Sequence, residues 1–162
     1  MRYYIDTEFD GHNGPLLSLA MVSEDGTGFH ASDVSVIASD PWVRENVVPL
    51  IDKHDADVTA ILKRADQMGA AIRNFIELSS NVRDCFHTII ADSIVDIGRF
   101  CRALSTGDDG GWASFDGDIT FEVHDVACYP TDLPGAVQHN AWWDAMALRR
   151  KLLGPHQPAS EG

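Results

Sequence analysis

The run Arg2-Tyr3-Tyr4-Ile5-Asp6-Thr7-Glu8-Phe9 decides how the rest of the chain is read. Its aromatic and apolar start leads straight into two carboxylates separated by one residue. In a β-strand, residues i and i+2 point to the same face, so Asp6 and Glu8 project side by side where a buried strand meets solvent. Two like charges held that close are costly unless something positive sits between them. A hard divalent cation, which takes oxygen ligands, is the usual answer. A polar strand end entering the loop Asp10-Gly11-His12-Asn13-Gly14 fits the same residues, so other stretches must discriminate.

Outward from this run, Pro15 to Val22 reads as a buried strand, Glu24-Asp25-Gly26 as its turn, and Thr27 to Ala31 as a third, antiparallel strand. Asp40-Pro41-Trp42 starts a helix, with Asp as N-cap and Pro at the first helical position, and Pro49 ends it. Residues 52–65 are polar and take no assignment. Gln67 to Leu78 is an amphipathic helix with Met68, Ile72, Phe75 and Ile76 on one side. Cys85 to Ala91 is nearly continuous in apolar character, as a central strand is. The helix that follows Asp92-Ser93 buries Ile97, Phe100, Cys101 and Leu104. Ser105 to Gly111 is a loop, Ile119 to Val123 a strand, and Asn140 to Leu153 a last helix stopped by Gly154. Three strands, helical segments, then β-α-β-α predict an α/β domain with a mixed sheet flanked by helices.

Length and composition agree with one domain, residues 1–153, followed by a disordered tail at 154–162. No apolar run approaches the roughly 18 residues a bilayer span needs, and the early Asp6 and Glu8 break the pattern of a signal peptide. Cys85, Cys101 and Cys128 are widely spaced and odd in number, which argues against a disulfide framework or a zinc knuckle and for a reducing cytoplasm. The formal charge of −13 repels nucleic acid at long range. It excludes a generic nucleic-acid coat protein, but not an enzyme whose bound metal ions neutralise its site locally.

Two further stretches carry carboxylates at strand or helix ends. Asp92-Ser93-Ile94-Val95-Asp96 puts two of them four residues apart on one face at a helix start; Asp92 as N-cap and Asp96 as a solvated helix residue is the plainer alternative. His139-Asn140-Ala141-Trp142-Trp143-Asp144 sets a loop imidazole before an Asn N-cap and a carboxylate in the first or second turn. A fixed carboxylate and a more mobile imidazole can thereby approach one point, as a metal site with a general base requires. A loop histidine bonded to a backbone carbonyl, and a tryptophan pair in the core, also fit.

In order and spacing, Asp6-Thr7-Glu8, Asp92-x-x-x-Asp96 and His139-x-x-x-x-Asp144 resemble the DEDDh branch of the 3′→5′ exonucleases. Within it the chain is most similar to the RNase AS-like exoribonucleases of actinobacteria and phages. Asp6-Thr7-Glu8-Phe9, the strand Leu17 to Val22 with Glu24-Asp25-Gly26, and the block from His139 to Asp144 carry this likeness, with Ala20 where Gly is usual. The resemblance implies a ribonuclease-H-like fold and two Mg²⁺ ions, replaceable by Mn²⁺, held by Asp6, Glu8, Asp96 and Asp144. It implies His139 as the general base that takes the proton of the attacking water. Asp92, where Asn is common, is expected behind the ligands as a second shell. Phe9 and Thr7 are the expected substrate contacts, Phe9 stacking on or wedging beside the terminal base.

The implied substrate is single-stranded RNA, with adenylate (poly(A)) tails favoured, and the implied assembly a homodimer. Segments 32–66 and 105–118 match poorly and are expected to carry substrate preference. The alternatives are a proofreading-type exonuclease on single-stranded DNA, a catalytically idle nucleic-acid-binding module, and an acidic interaction protein.

Overall fold

A computed structural model describes residues 1–80, 86–106, 117–126 and 133–154. The expected tail from 155, most of the 105–118 loop and Cys85 at the head of its strand lie outside the described residues. Strands β1 (Arg2–Phe9), β2 (Leu16–Ser23) and β3 (Gly28–Asp33) come first, then helix α1 (Pro41–Asn46) and strand β4 (Val58–Leu62). Helix α2 (Gln67–Ser79), strand β5 (Phe86–Ala91), helix α3 (Ile94–Ser105), strand β6 (Asp118–Val123) and helix α4 (Ala141–Leu153) follow. The strands form one sheet in the order β4-β3-β2-β1-β5-β6. β1, β2 and β3 are antiparallel neighbours, while β1/β5, β3/β4 and β5/β6 are parallel. The sheet is therefore mixed, an α/β fold consistent with the ribonuclease-H-like expectation.

The two-residue alternation of the strands sorts the core into two layers. Tyr3, Ile5, Leu19, Met21, Phe29 and Ile89 face one side, where Ile72, Phe75 and Ile76 of α2 and Phe100 and Leu104 of α3 cover them. Each such side chain, fully buried, stabilises the fold by about 1.5–3 kcal/mol. Tyr4, Ala20, Val22 and Ile90 face the other side, under Trp142, Ala145 and Leu148 of α4. Arg73, buried on α2, joins the two helices of its layer by donating from Nη1 to the Leu104 carbonyl at 2.9 Å.

Two details differ from the sequence reading. Residues 58–62 form β4, a parallel edge strand beside β3, within the stretch left unassigned. Four of its five side chains are exposed or half-exposed, so the alternation that betrays a half-buried strand is missing. α1 stops at Asn46, before Pro49, which lies inside a separate 3₁₀ turn, Val48–Leu50. Proline is compatible with the first turn of such a helix, so it did not act as the terminator. Among the described residues, no helix is long and apolar enough to cross a membrane.

Candidate metal centre

The centre assembles where the parallel strands β1 and β5 end. Their register pairs Tyr4 with Ile90, and Asp6 and Asp92, each two residues further on, bring carboxylate oxygens within 4.8 Å of each other. In open α/β sheets, ligand sites lie outside the carboxyl ends of the strands, at such positions. Ser93, not Asp92, caps α3, its hydroxyl accepting from the Val95 N–H at 3.1 Å. That frees the Asp92 carboxylate and sets Asp96 in the first turn, facing inward and only 6% exposed. Thr7, buried beside it on β1, donates its hydroxyl to Asp96 Oδ1 and so orients that carboxylate.

The third wall is the start of α4. Asn140 Oδ1 accepts from the N–H groups of Trp142 and Trp143 at 3.1 and 3.4 Å, and the Asn140 N–H donates to Asp144 Oδ2 at 3.3 Å. The cap and the first-turn carboxylate thus hold each other. The same helix start is strapped to the 50–55 segment. Asn140 Nδ2 donates to the carbonyls of Leu50 and Ile51 at 2.5 and 3.2 Å. Trp143 Nε1 donates to the Lys53 carbonyl at 2.7 Å, and Trp142 Nε1 to Asp55 Oδ1 at 2.8 Å. Gly28 lets Trp142 approach β3 closely, since a Cβ there would sit 1.9 Å from its ring.

Asn140→Ala removes a helix cap and strands two carbonyls at once. We expect it to destabilise the chain by about 2–3 kcal/mol, read as a lower urea midpoint at unchanged slope. Asn140→Asp keeps the cap but not the two donors, and should lose clearly less; equal losses would show that the strap contributes nothing.

Two sets of three carboxylates result, and they share one residue. Oxygens of Asp6, Glu8 and Asp144 lie within 4.8 Å of one another, and so do those of Asp6, Asp92 and Asp96. Asp92, which the resemblance leaves behind the ligands, offers an oxygen on the same terms as Asp96. His139 belongs to neither set. Its ring is exposed and packs edge-on to Trp42, with centroids 5.0 Å apart. Its backbone is in the left-handed region at φ 58°, the only non-glycine so placed among the described residues. Such a conformation costs free energy, and outliers of this kind gather at functional sites.

Phe9 is re-aimed by a break in the β1/β2 register directly after Glu8, and the Arg99 guanidinium lies over its ring at 3.9 Å. Glu8, Phe9 and Trp42 line a cavity of about 350 Å³ that Asp40, Gly11, Val43 and Val47 complete. Asp10 ties the 39–40 segment to the end of β1, accepting from the N–H and hydroxyl of Ser39 and the N–H of Asp40 at 2.7–2.9 Å.

Burial, followed by the charges of Asp96, Asp144, Glu8 and Asp92, holds the Asp6 carboxyl well above the usual range. Burial together with Asp144 and Asp96 pushes Glu8 up to about 8. Asp144 rises to about 7, chiefly through burial, against the hydrogen bond from Asn140. Burial lifts Asp96 to about 6, the Thr7 hydroxyl opposing it. Asp92 is raised by burial and by Asp125. Five converging carboxylates with no described cation among them fit a hard divalent ion: the donors are all oxygen, and binding would relieve the repulsion that raises each pKa.

The sequence pointed to Asp6, Glu8, Asp96 and Asp144, and the fold brings these four together. It did not reveal the Thr7–Asp96 hydrogen bond, the 50–55 strap or Trp42 against His139, which depend on elements distant in sequence.

No protein-family model matches the chain. Two curated relatives, both 3′-5′ exoribonucleases of Mycobacterium tuberculosis (strains CDC 1551 and H37Rv), are 42% identical to it over 53 residues. Each match covers 30% of this chain and 32% of the relative, so the chain spans about a third of the length of the curated relatives it matches.

Proposed function

We propose that this chain is a metal-dependent 3′→5′ exoribonuclease of the DEDDh type, acting on single-stranded RNA with adenylate tails favoured. The observation that carries the reading is the pair of carboxylate triads sharing Asp6 at the ends of β1 and β5. The partial likeness to the mycobacterial 3′-5′ exoribonucleases supports the same class of activity.

Divalent ions, Mg²⁺ or Mn²⁺, would supply Lewis-acid polarisation of a phosphoryl oxygen and a water acidified toward neutral pH. Asp6 would hold both ions, Glu8 and Asp144 one of them, and Asp92 and Asp96 the other. Thr7 fixes the Asp96 rotamer from behind, and the Asn140 N–H does the same for Asp144. His139 takes the proton of the attacking water on a free ring nitrogen. To do so it leaves the edge of Trp42 and turns over the carboxylates, a rotation its exposed ring permits. The cavity between Phe9 and Trp42 opens beside Glu8 and gives the last base of the strand two aromatic walls. Contact to the 2′-OH would separate RNA from DNA.

The test is product analysis on an A-tailed RNA and the matching DNA, each in Mg²⁺, with an Asp144→Asn control. The reading expects nucleoside 5′-monophosphates, released one at a time from the 3′ end of RNA and more slowly from DNA. Faster release from DNA would favour the proofreading-type alternative. Internal cleavage products, or no release from folded protein, would overturn the reading.

A further inference from the structure

We propose that the groove lined by His12, Asn13, Val95, Gly98, Arg99 and Arg102 seats the backbone phosphates of single-stranded RNA upstream of the cleaved bond, extending the candidate centre. The proposal rests on the exoribonuclease reading for its substrate and on the following geometry for its place.

α3 carries both the centre and the groove. Asp96 faces inward at its first turn, while Arg99 and Arg102 follow at intervals of three residues, neighbours along the helix surface and leading away from the carboxylates. Phe9 and Arg99 stand as the partition between two hollows. Glu8 and Phe9 line the 350 Å³ cavity on one side, and Arg99 lines the groove of about 310 Å³ on the other. A strand whose terminal base enters the first hollow must pass this partition, and the groove lies next to it.

The two arginines have different duties. Arg99 is half-buried and fixed, Nη1 donating to the Gly14 carbonyl at 2.5 Å and Nη2 to the His12 carbonyl at 3.1 Å, which holds the 10–15 loop as the far wall. Arg102 is exposed, and among the described residues its guanidinium makes no hydrogen bond or ion pair. Two guanidinium groups one turn apart repel each other, and an anion between them relieves this. In a chain of 12 basic and 25 acidic residues, Arg102 stands out as a cation beside the carboxylate cluster with no ion pair among the described residues.

The floor is open as well. A Cβ built on Gly98 would meet no atom within 4 Å, so a sugar-phosphate chain can lie directly on the helix backbone, with Val95 as an apolar wall. Arg99, Arg102, Val95 and the bare backbone at Gly98 offer charge and shape and no pattern matched to one base, so recognition through them does not depend on sequence.

The experiment measures binding of 5′-fluorescent oligoadenylates to the full chain by anisotropy. The chain carries Asp144→Asn throughout so that the RNA persists, and Arg102→Gln or Gly98→Glu is added to it. Gly98→Glu puts an acid on the groove floor without a clash and at a site where a side chain favours the helix, so it guards against misfolding. Both variants should weaken binding of a chain of about ten nucleotides roughly tenfold and that of a dinucleotide about twofold or less. Arg102→Gln should also reduce the slope of log K against log salt by about 1, equally for oligoadenylate and oligouridylate.

Equal losses at both lengths, or none at either, would overturn the groove. Length-dependent binding through Arg102 in a protein that releases no mononucleotide keeps the groove and overturns the exonuclease. Mononucleotide release with binding indifferent to Arg102 and Gly98 does the reverse.

Discussion

Asp6→Asn should lower turnover on RNA by about 10³-fold or more while making the metal-free protein more stable. The first effect follows from Asp6 being common to both carboxylate triads, so that one substitution weakens both candidate ion positions. Several kcal/mol of transition-state stabilisation depend on such ions, and each 1.36 kcal/mol is tenfold in rate. The second effect follows from the raised carboxyl pKa values. A carboxyl whose folded pKa exceeds its unfolded one carries no penalty below the unfolded value. The penalty grows as pH rises toward the folded value, because the folded state then retains protons that the unfolded state releases. With Glu8 at about 8 and Asp144 at about 7, the metal-free chain loses stability across pH 4 to 8.

Removing the Asp6 charge should recover about 1–2 kcal/mol at pH 8, a few degrees in Tm, and much less at pH 5. Thermal melts in chelator at the two pH values measure this. A variant that melts lower than the parent at pH 8 would mean that the cluster is not a store of repulsion. Stability given up for a working site is a familiar trade in enzymes.

The second large effect concerns the ions. Saturating Mg²⁺ or Mn²⁺ should raise the Tm of the parent chain at pH 8 by about 5–10 °C, as expected for a ligand at roughly 100 times its Kd. At pH 5.5 the rise should be small. There Glu8, Asp144 and Asp96, with pKa values of about 8, 7 and 6, hold protons that the ion must displace. A rise of equal size at both pH values would place binding elsewhere. Ca²⁺, also a hard oxygen-seeking ion, should stabilise too, so the pH dependence is the discriminating part.

How much of this was legible in the sequence depends on how local each signal is. β1 could be read because its apolar start and its abrupt passage from Ile5 to Asp6 lie within eight residues. The caps Asp40 and Asn140 were legible for the same reason, and the structure shows both side chains accepting from the first helical N–H groups. β4 was not, because an edge strand with little burial lacks periodicity and owes its place to β3. Asp92 was ambiguous because a carboxylate before a helix is usually a cap. Only the fold shows Ser93 taking that duty and leaving the Asp92 carboxylate beside that of Asp6. The strap at 50–55 was not legible because its part is played by backbone carbonyls and one aspartate, which accept from side chains about ninety residues away. Such acceptors leave almost no trace in residue type.

His139 shows the limit most clearly. Its spacing to Asp144 marked it as a candidate base, while its left-handed backbone and its place against Trp42 appear only in three dimensions. The coupling suggests a division of labour at the site. Trp42 lines the cavity beside Glu8 and Phe9 and also rests against the imidazole, so a group entering that cavity meets the residue that packs on His139.

The most direct measurement is the initial rate of shortening of a 5′-labelled, A-tailed single-stranded RNA, followed in Mg²⁺, after chelation with EDTA, and after Mg²⁺ is restored, with Asp6→Asn in parallel. The account predicts a ladder receding from the 3′ end that stops on chelation, resumes on restoration, and is absent in the variant. Shortening that continues in EDTA, or that Asp6→Asn leaves at the parent rate, would contradict it.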